Sequence, residues 1–267
     1  MFAQMKHLAI VSSNVDLEGD FYRDVFGLKR SGTARAGGAV VVRDGYIGLN
    51  LNPRAPGRQA GFDHFGFEVQ DVDTVFARLR EKYPTVRVLK RPGNRPFAGI
   101  STHDPAGNVF DLSQQGMENR RDLYIDQDQE MARRIGHFAL RVLEPEEIAE
   151  FYRTVFELTE LEKPADDPNH YLSDGKVTLA ILPWQINDFE GSGIERPALD
   201  HIGFKVESLA AFKADLEKHA HQYVPPKDDR PDKNPEREVR QKLFAKCCFG
   251  QFQTADPDGV LIDVSEN

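Results

Sequence analysis

The sequence repeats one short phrase four times, and that constrains the fold more than any bulk property, because internal repetition fixes architecture. An apolar run carries a histidine at the same place in Met5-Lys6-His7-Leu8-Ala9-Ile10, Asp63-His64-Phe65-Gly66-Phe67, Ile135-Gly136-His137-Phe138-Ala139-Leu140 and Asp200-His201-Ile202-Gly203-Phe204. Two of the runs lead into matching helix segments, Phe21-Tyr22-Arg23-Asp24-Val25-Phe26 and Phe151-Tyr152-Arg153-Thr154-Val155-Phe156. The other two end in matching turns and strands, Asp104-Pro105-Ala106-Gly107-Asn108-Val109-Phe110-Asp111 and Asp256-Pro257-Asp258-Gly259-Val260-Leu261-Ile262-Asp263.

The local signals predict the same module each time. In the first, residues 5–52, a strand bears His7 and a helix begins near Val15. Strands over 39–42 and 47–51 then flank the turn Arg43-Asp44-Gly45. The second, residues 62–113, has the His64 strand and a helix over 72–82. Strands follow over 86–89 and 98–103, and a last one carries Asp111. The polar stretch 118–133 reads as a linker between domains 1–117 and 134–267. The second domain repeats the pattern as modules 134–184 and 198–267. Its last module is lengthened at 223–246 by a segment rich in Pro, Asp, Lys and Arg. Such an excursion is either a lid over a site or a disordered surface loop.

With 267 residues, 40% of them hydrophobic, the chain can build two cores. The net charge of -9 argues against nucleic acid or an anionic membrane surface as the main partner, since both require a basic footprint. The two cysteines, Cys247 and Cys248, are adjacent, and vicinal geometry disfavours a bridge between them. A cytoplasmic protein with no membrane span and no signal peptide is expected. We also expect a homo-oligomer.

The repeat places His, His and Asp at equivalent positions in each half: His7, His64 and Asp111, then His137, His201 and Asp263. Two imidazoles and one carboxylate on one face, with other positions open, suit a divalent metal such as Fe(II). A strand aims alternate side chains to one face, so strands can gather such a set. The competing reading is that these histidines pack in the core. The carboxylates weigh against it: flanked by Val109, Phe110 and Leu112, or by Leu261, Ile262 and Val264, an inward-facing Asp needs a partner.

The tandem modules, the Phe-Tyr helix motif and the Asp-Pro-x-Gly ending resemble the vicinal oxygen chelate superfamily, which includes glyoxalase I, bleomycin-resistance proteins and type I extradiol dioxygenases. The resemblance implies an α+β fold of four βαβββ modules. They would pair into two tandem domains, each a curved mixed sheet around a pocket with helices outside. The layout looks most like the two-domain extradiol ring-cleavage dioxygenases. In that family the iron lies in the C-terminal domain, at positions that fall on His137, His201 and Asp263. The place of a fourth ligand in glyoxalase-like members falls on Ala180 in the second half and on Asn50 in the first. His7, His64 and Asp111, joined by Asn50, therefore form an alternative site. The family's acid/base His falls near Val177 and its substrate-contacting Tyr near Gln253. His170, Tyr171 and Gln253 are the remaining candidates for catalytic roles. The carboxylate is Asp where the dioxygenases carry Glu, which retracts its oxygen by about 1.5 Å and requires a closer strand.

The implied activity is ring cleavage of a catechol-like or hydroquinone-like aromatic, with O2 as co-substrate and Fe(II) as metal; Mn, Ni, Co or Zn are alternatives. Two other readings follow from the same resemblance. One is a non-redox lyase, isomerase or epimerase of the glyoxalase type. The other is a small-molecule-binding protein of the resistance type.

Overall fold

The computed structural model describes residues 1–30, 38–92, 97, 99–116, 131–192, 196–223 and 249–267. The first half contributes β1 (Ala3–Ser12), α1 (Val15–Phe26), β2 (Lys29–Arg30), β3 (Val40–Arg43), β4 (Gly48–Pro53), β5 (Gly61–Val69), α2 (Val72–Lys82), β6 (Leu89–Lys90), β7 (Ile100–His103) and β8 (Val109–Gln114). The second contributes β9 (Arg134–Val142), α3 (Pro145–Phe156), β10 (Thr159–Glu160), β11 (His170–Ser173), β12 (Thr178–Pro183), α4 (Ile186–Ser192), β13 (Ala198–Val206), α5 (Leu209–Tyr223), β14 (Phe252–Ala255) and β15 (Leu261–Glu266).

The strands form two mixed sheets, in the orders β2-β3-β4-β1-β5-β8-β7-β6 and β10-β11-β12-β9-β13-β15-β14. In each, the two histidine strands lie side by side at the centre and antiparallel, β1 with β5 and β9 with β13. The α+β architecture of paired modules is therefore as expected. The segment expected to be a lid or a surface loop, 223–246, lies outside the described residues apart from Tyr223, as do the two cysteines and most of the linker. No helix among the described residues is long and apolar enough to cross a membrane.

Capping residues set the helix limits. Asn14 accepts a hydrogen bond from Leu17 N, and α1 stops at Gly27, whose φ of 70° suits the left-handed turn. Asp71 caps α2 by accepting from Asp73 N and Thr74 N. The strand expected over 86–89 is displaced to Leu89–Lys90. Side chains claim the backbone there: Arg87 N donates to His103 Nε2, and Thr102 Oγ1 donates to the Arg87 carbonyl. The short helix α4, after Trp184, had no counterpart in the repeat.

Strict alternation along the strands divides each sheet into two faces. Leu8, Ile10, Phe65, Phe67, Phe110 and Leu112 point to one core, together with Phe138, Leu140, Ile202, Phe204, Ile262 and Val264. The histidines and terminal aspartates point the other way. Helices α1 and α3 cross between the halves: Phe26 stacks on Phe204 at 3.9 Å, and Phe156 stacks on Phe67 at 4.3 Å.

Paired hydrogen bonds lock the halves with approximate two-fold symmetry. Met5 N donates to Asp174 Oδ2, and Ile135 N to Asp44 Oδ2. Tyr22 OH donates to Asp256 Oδ2, and Tyr152 OH to Asp104 Oδ2. Each of these aspartates also closes its own turn, Asp44 by accepting from Ile47 N and Asp256 from Val260 N. The repeated Asp-Gly and Asp-Pro-x-Gly signals are thus both turns and docking points.

Candidate metal centres

The register that joins the strands also gathers the ligands. Gly66 pairs with both His7 and Asp111, and Gly203 pairs with both His137 and Asp263. The bare glycine between each first histidine and its aspartate leaves the room that a side chain would fill. At Gly203 an added Cβ would lie 1.9 Å from His137 Cε1. The imidazole rests directly on the glycine.

In the first half, His7 Nε2 and His64 Nε2 are 3.2 Å apart, and His64 Nε2 is 3.3 Å from Asp111 Oδ2. In the second, His137 Nε2 and His201 Nε2 are 3.1 Å apart, and His137 Nε2 is 3.3 Å from Asp263 Oδ2. Two ligands at right angles and about 2.1 Å from one ion stand about 3 Å apart, so both triads are spaced to share a cation. Each set gathers its donor atoms within 4.8 Å. Asp263 Oδ2 is buried and accepts no hydrogen bond of ordinary geometry, as a carboxylate oxygen aimed at an ion would. The shorter Asp side chain reaches the histidines because β15 pairs directly with β13, the neighbour of β9.

Outer groups fix the rings. Asp200 Oδ2 accepts from His201 Nδ1 at 2.7 Å, and Asp200 Oδ1 accepts from Arg141 Nε at 2.7 Å. This orients Nε2 toward the centre and makes it the available donor. Asp63 does the same for His64 at 2.8 Å, and its own partner is Arg58. The Asp-His pairs stand in the sequence, but their adjacency did not reveal which oxygen meets which nitrogen. Phe249 stacks on His137 at 4.9 Å and Phe97 on His7 at 4.8 Å. These paired aromatic covers went unrecognised in the repeat because each lies in a loop.

Protonation differs between the halves. Burial holds His137 neutral by lowering its pKa. Burial alone would raise the Asp263 carboxyl, yet His137 and His201 hold it below the usual range. The second triad is therefore already a neutral imidazole facing a carboxylate, the form that binds a cation. In the first half, burial lowers His64, but hydrogen bonds to Asp111 and Asp63 outweigh it and take His64 up to about 9. Burial and the His64 charge lower His7 to about 3.

The catalytic candidates separate. Tyr171 pairs with Ala180 on the pocket face, packs edge-on against Phe249 at 5.3 Å, and lies with Ala139, Ala180 and Leu182. Its hydroxyl donates to Asp167 and accepts from Asn169. Gln253 sits opposite Asp263 and donates to Asp263 Oδ1 at 3.2 Å, so it supports the carboxylate. His170 points to the other face, where it meets Glu160 and Glu146; it is not part of this cluster. Asn50 lies one strand from Ala9, which in turn pairs with His64, on the ligand face of the first sheet.

Residues 4–112 match the family model described as the glyoxalase/bleomycin resistance protein/dioxygenase superfamily. Over these residues the chain is similar to this superfamily. The second half repeats the strand order of the first. No curated protein matches the sequence. Among solved structures, the chain is similar to the 2,3-dioxygenase LapB from Pseudomonas sp. KL28, with a TM-score of 0.65 at 15% identity, over 99% of this chain and 92% of that one. It is similar to BphC, a halotolerant catechol dioxygenase, with a TM-score of 0.63 at 14% identity, over 100% and 87%. The Mn(II)-bound glyoxalase from Novosphingobium aromaticivorans gives a TM-score of 0.63 at 17% identity, over 99% and 82%. At these identities the likeness is one of fold. The residues matched by the family model include His7, His64 and Asp111, and the second half carries the equivalent set His137, His201 and Asp263.

Proposed function

We propose that the chain is an Fe(II)-dependent ring-cleavage dioxygenase of the extradiol type, acting on a catechol-like or hydroquinone-like aromatic at the His137, His201 and Asp263 centre. One observation carries the reading. Among the described residues this triad offers three ligands and no fourth, because Ala180 occupies the strand position beside Ala139, and the same face carries Tyr171, Leu182 and Phe249. An apolar, aromatic wall beside a three-ligand metal suits a flat ring that brings its own oxygens to the ion.

Bound Fe(II) would supply a Lewis acid and an electron conduit between a chelated diol and O2. The protein's part is positioning and charge. Asp200 keeps the proton of His201 on Nδ1, so Nε2 faces the ion. Gln253 holds one oxygen of Asp263 and leaves the other directed inward. Phe249 and Tyr171 bound the space a planar substrate would enter, and the Tyr171 hydroxyl is tied down by Asp167 and Asn169. In the balanced reaction both atoms of O2 enter the product as one ring C–C bond breaks.

The test is oxygen uptake by the anaerobically reconstituted Fe(II) protein across a panel of catechols and hydroquinones. Uptake that matches substrate loss one to one, and disappears in His201→Ala, is expected. A fully iron-loaded protein that consumes no O2 with any of them would refute the proposal. Gln253 stands where the dioxygenases carry a Tyr, which keeps a second reading in view: Lewis-acid isomerase or lyase chemistry. Turnover without O2, with Mn, Ni or Co in place of iron, would mark it.

A further inference from the structure

We propose that the N-terminal half binds a second divalent cation through His7, His64 and Asp111, and that this ion exchanges with solvent faster than the one in the C-terminal half. The inference goes beyond the oxygenase reading and does not depend on which reaction the chain catalyses.

The first argument is that equal geometry is reached by unequal means. The closest donor spacings are 3.2 and 3.3 Å in the first half and 3.1 and 3.3 Å in the second. Yet the contacts differ: in the first half the second histidine, His64, stands 3.3 Å from its aspartate, and in the second half the first histidine, His137, stands 3.3 Å from its own. The supports differ too. Ser101 donates to Asp111 where Gln253 donates to Asp263. Arg58, from the segment between β4 and β5, neutralises Asp63, where Arg141 of β9 neutralises Asp200. Arg91 braces Ser101 and has no equivalent among the described residues of the second half. A passively inherited triad would lose its convergence once its surroundings were replaced. Here the surroundings were replaced and the convergence remains.

The second argument is desolvation. Two imidazole nitrogens and a carboxylate oxygen are held together on a largely buried face, His64 anchored by Asp63 and Asp111 by Ser101. Removing such groups from water is costly, and one cation shared by all three offsets the cost.

The difference in exchange follows from exposure. The His64 side chain is 19% exposed and that of Asp111 9%, against 0% for His201 and Asp263. Solvent therefore reaches the ligands of the first triad, so an entering chelator or water can displace them one at a time. The second triad must open first. Open coordination positions in the first half would take water or small oxygen anions.

The experiment uses the full-length chain, stripped of metal and titrated anaerobically with Co(II) alone against a coloured competing chelator. Two equivalents are expected for the wild type, one for His64→Ala, one for His201→Ala and none for the double variant. Transfer to excess chelator should be biphasic in the wild type, with the fast phase missing from His64→Ala. Ser101→Ala keeps all ligands and should weaken only the fast-exchanging site, by roughly 10- to 100-fold. It also serves as the decisive variant if His64→Ala does not fold. A single equivalent in the wild type that His64→Ala leaves in place, or two that His64→Ala and Ser101→Ala leave unchanged, would overturn the proposal. A wild type with one equivalent, lost in His201→Ala, would remove this inference and spare the C-terminal centre. One equivalent lost only in His64→Ala would support the N-terminal ion and remove the centre on which the oxygenase reading depends.

Discussion

Replacing Gly203 with alanine should empty the C-terminal centre while leaving the fold intact. The backbone at Gly203 is not in the left-handed region, so any effect comes from the added methyl alone. That methyl would lie 1.9, 2.0 and 2.3 Å from His137 Cε1, Nδ1 and Nε2. Ordinary carbon contacts begin at about 3.5 Å, so the ring must move by more than about 1 Å. His137 Nε2 lies 3.1 Å from His201 Nε2 and 3.3 Å from Asp263 Oδ2, and such a shift breaks both spacings. Phe249 stacks on the ring at 4.9 Å and restricts its movement. Overpacking of this kind costs about 1–3 kcal/mol, which a domain of this size survives. Loss of one of three ligands should lower metal affinity by at least about 100-fold, since disturbing an outer partner alone costs 10- to 100-fold. The assay is Co(II) affinity measured by competition, paired with thermal melting. In the matching Gly66→Ala variant the methyl meets Phe97 Cε1 at 2.7 Å and only the Cβ of His7, at 3.1 Å. It should push the aromatic cover aside and perturb metal binding less. Unchanged affinity in Gly203→Ala, or equal losses in both variants, would refute the reasoning.

Asp200→Asn should leave the His201 ring unanchored and Arg141 buried without its counter-charge; we expect a 10- to 100-fold loss of metal affinity and about 3–5 kcal/mol of stability in denaturant titrations. Asp263→Glu restores the dioxygenases' residue type but advances the oxygen by about 1.5 Å in a site with no exposed surface; weaker Co(II) binding is expected, and tighter binding would show that the strand spacing has been misjudged. Glu18 is buried against Asp256 and Asp258, and burial with those carboxylates pushes it up to about 12. A raised carboxyl makes the folded state bind the extra proton, so this contribution is intact below about pH 4.5 and declines as pH rises toward 12. Glu18→Gln should therefore flatten the fall in melting temperature between pH 6 and 9 and melt higher at pH 8; parallel curves for the two proteins would contradict this.

Much of the architecture was legible in the sequence. The two triads, the helix over 72–82 and the turns at Asp44-Gly45 and Asp174-Gly175 follow from local chemistry: period-two alternation, capping side chains and residues that accept positive φ. These signals act over a few residues, and the repeat displays them twice. The strand expected over 86–89 failed for the converse reason. Its backbone partners are the side chains of Thr102 and His103, more than ten residues away.

Residue identity and spacing thus determined that histidines and aspartates occur in equivalent strands, and that one face of each strand is apolar. Only the tertiary structure decided what those residues do. Register brought Asp263 across Gly203 to His137, placed Gln253 behind the carboxylate, turned His170 away and aimed Tyr171 inward. A one-residue slip in any of those pairings would send the same side chains to the opposite face. Pairing of distant strands is set by the whole core, where Phe26 meets Phe204 and Phe67 meets Phe156 across the two halves.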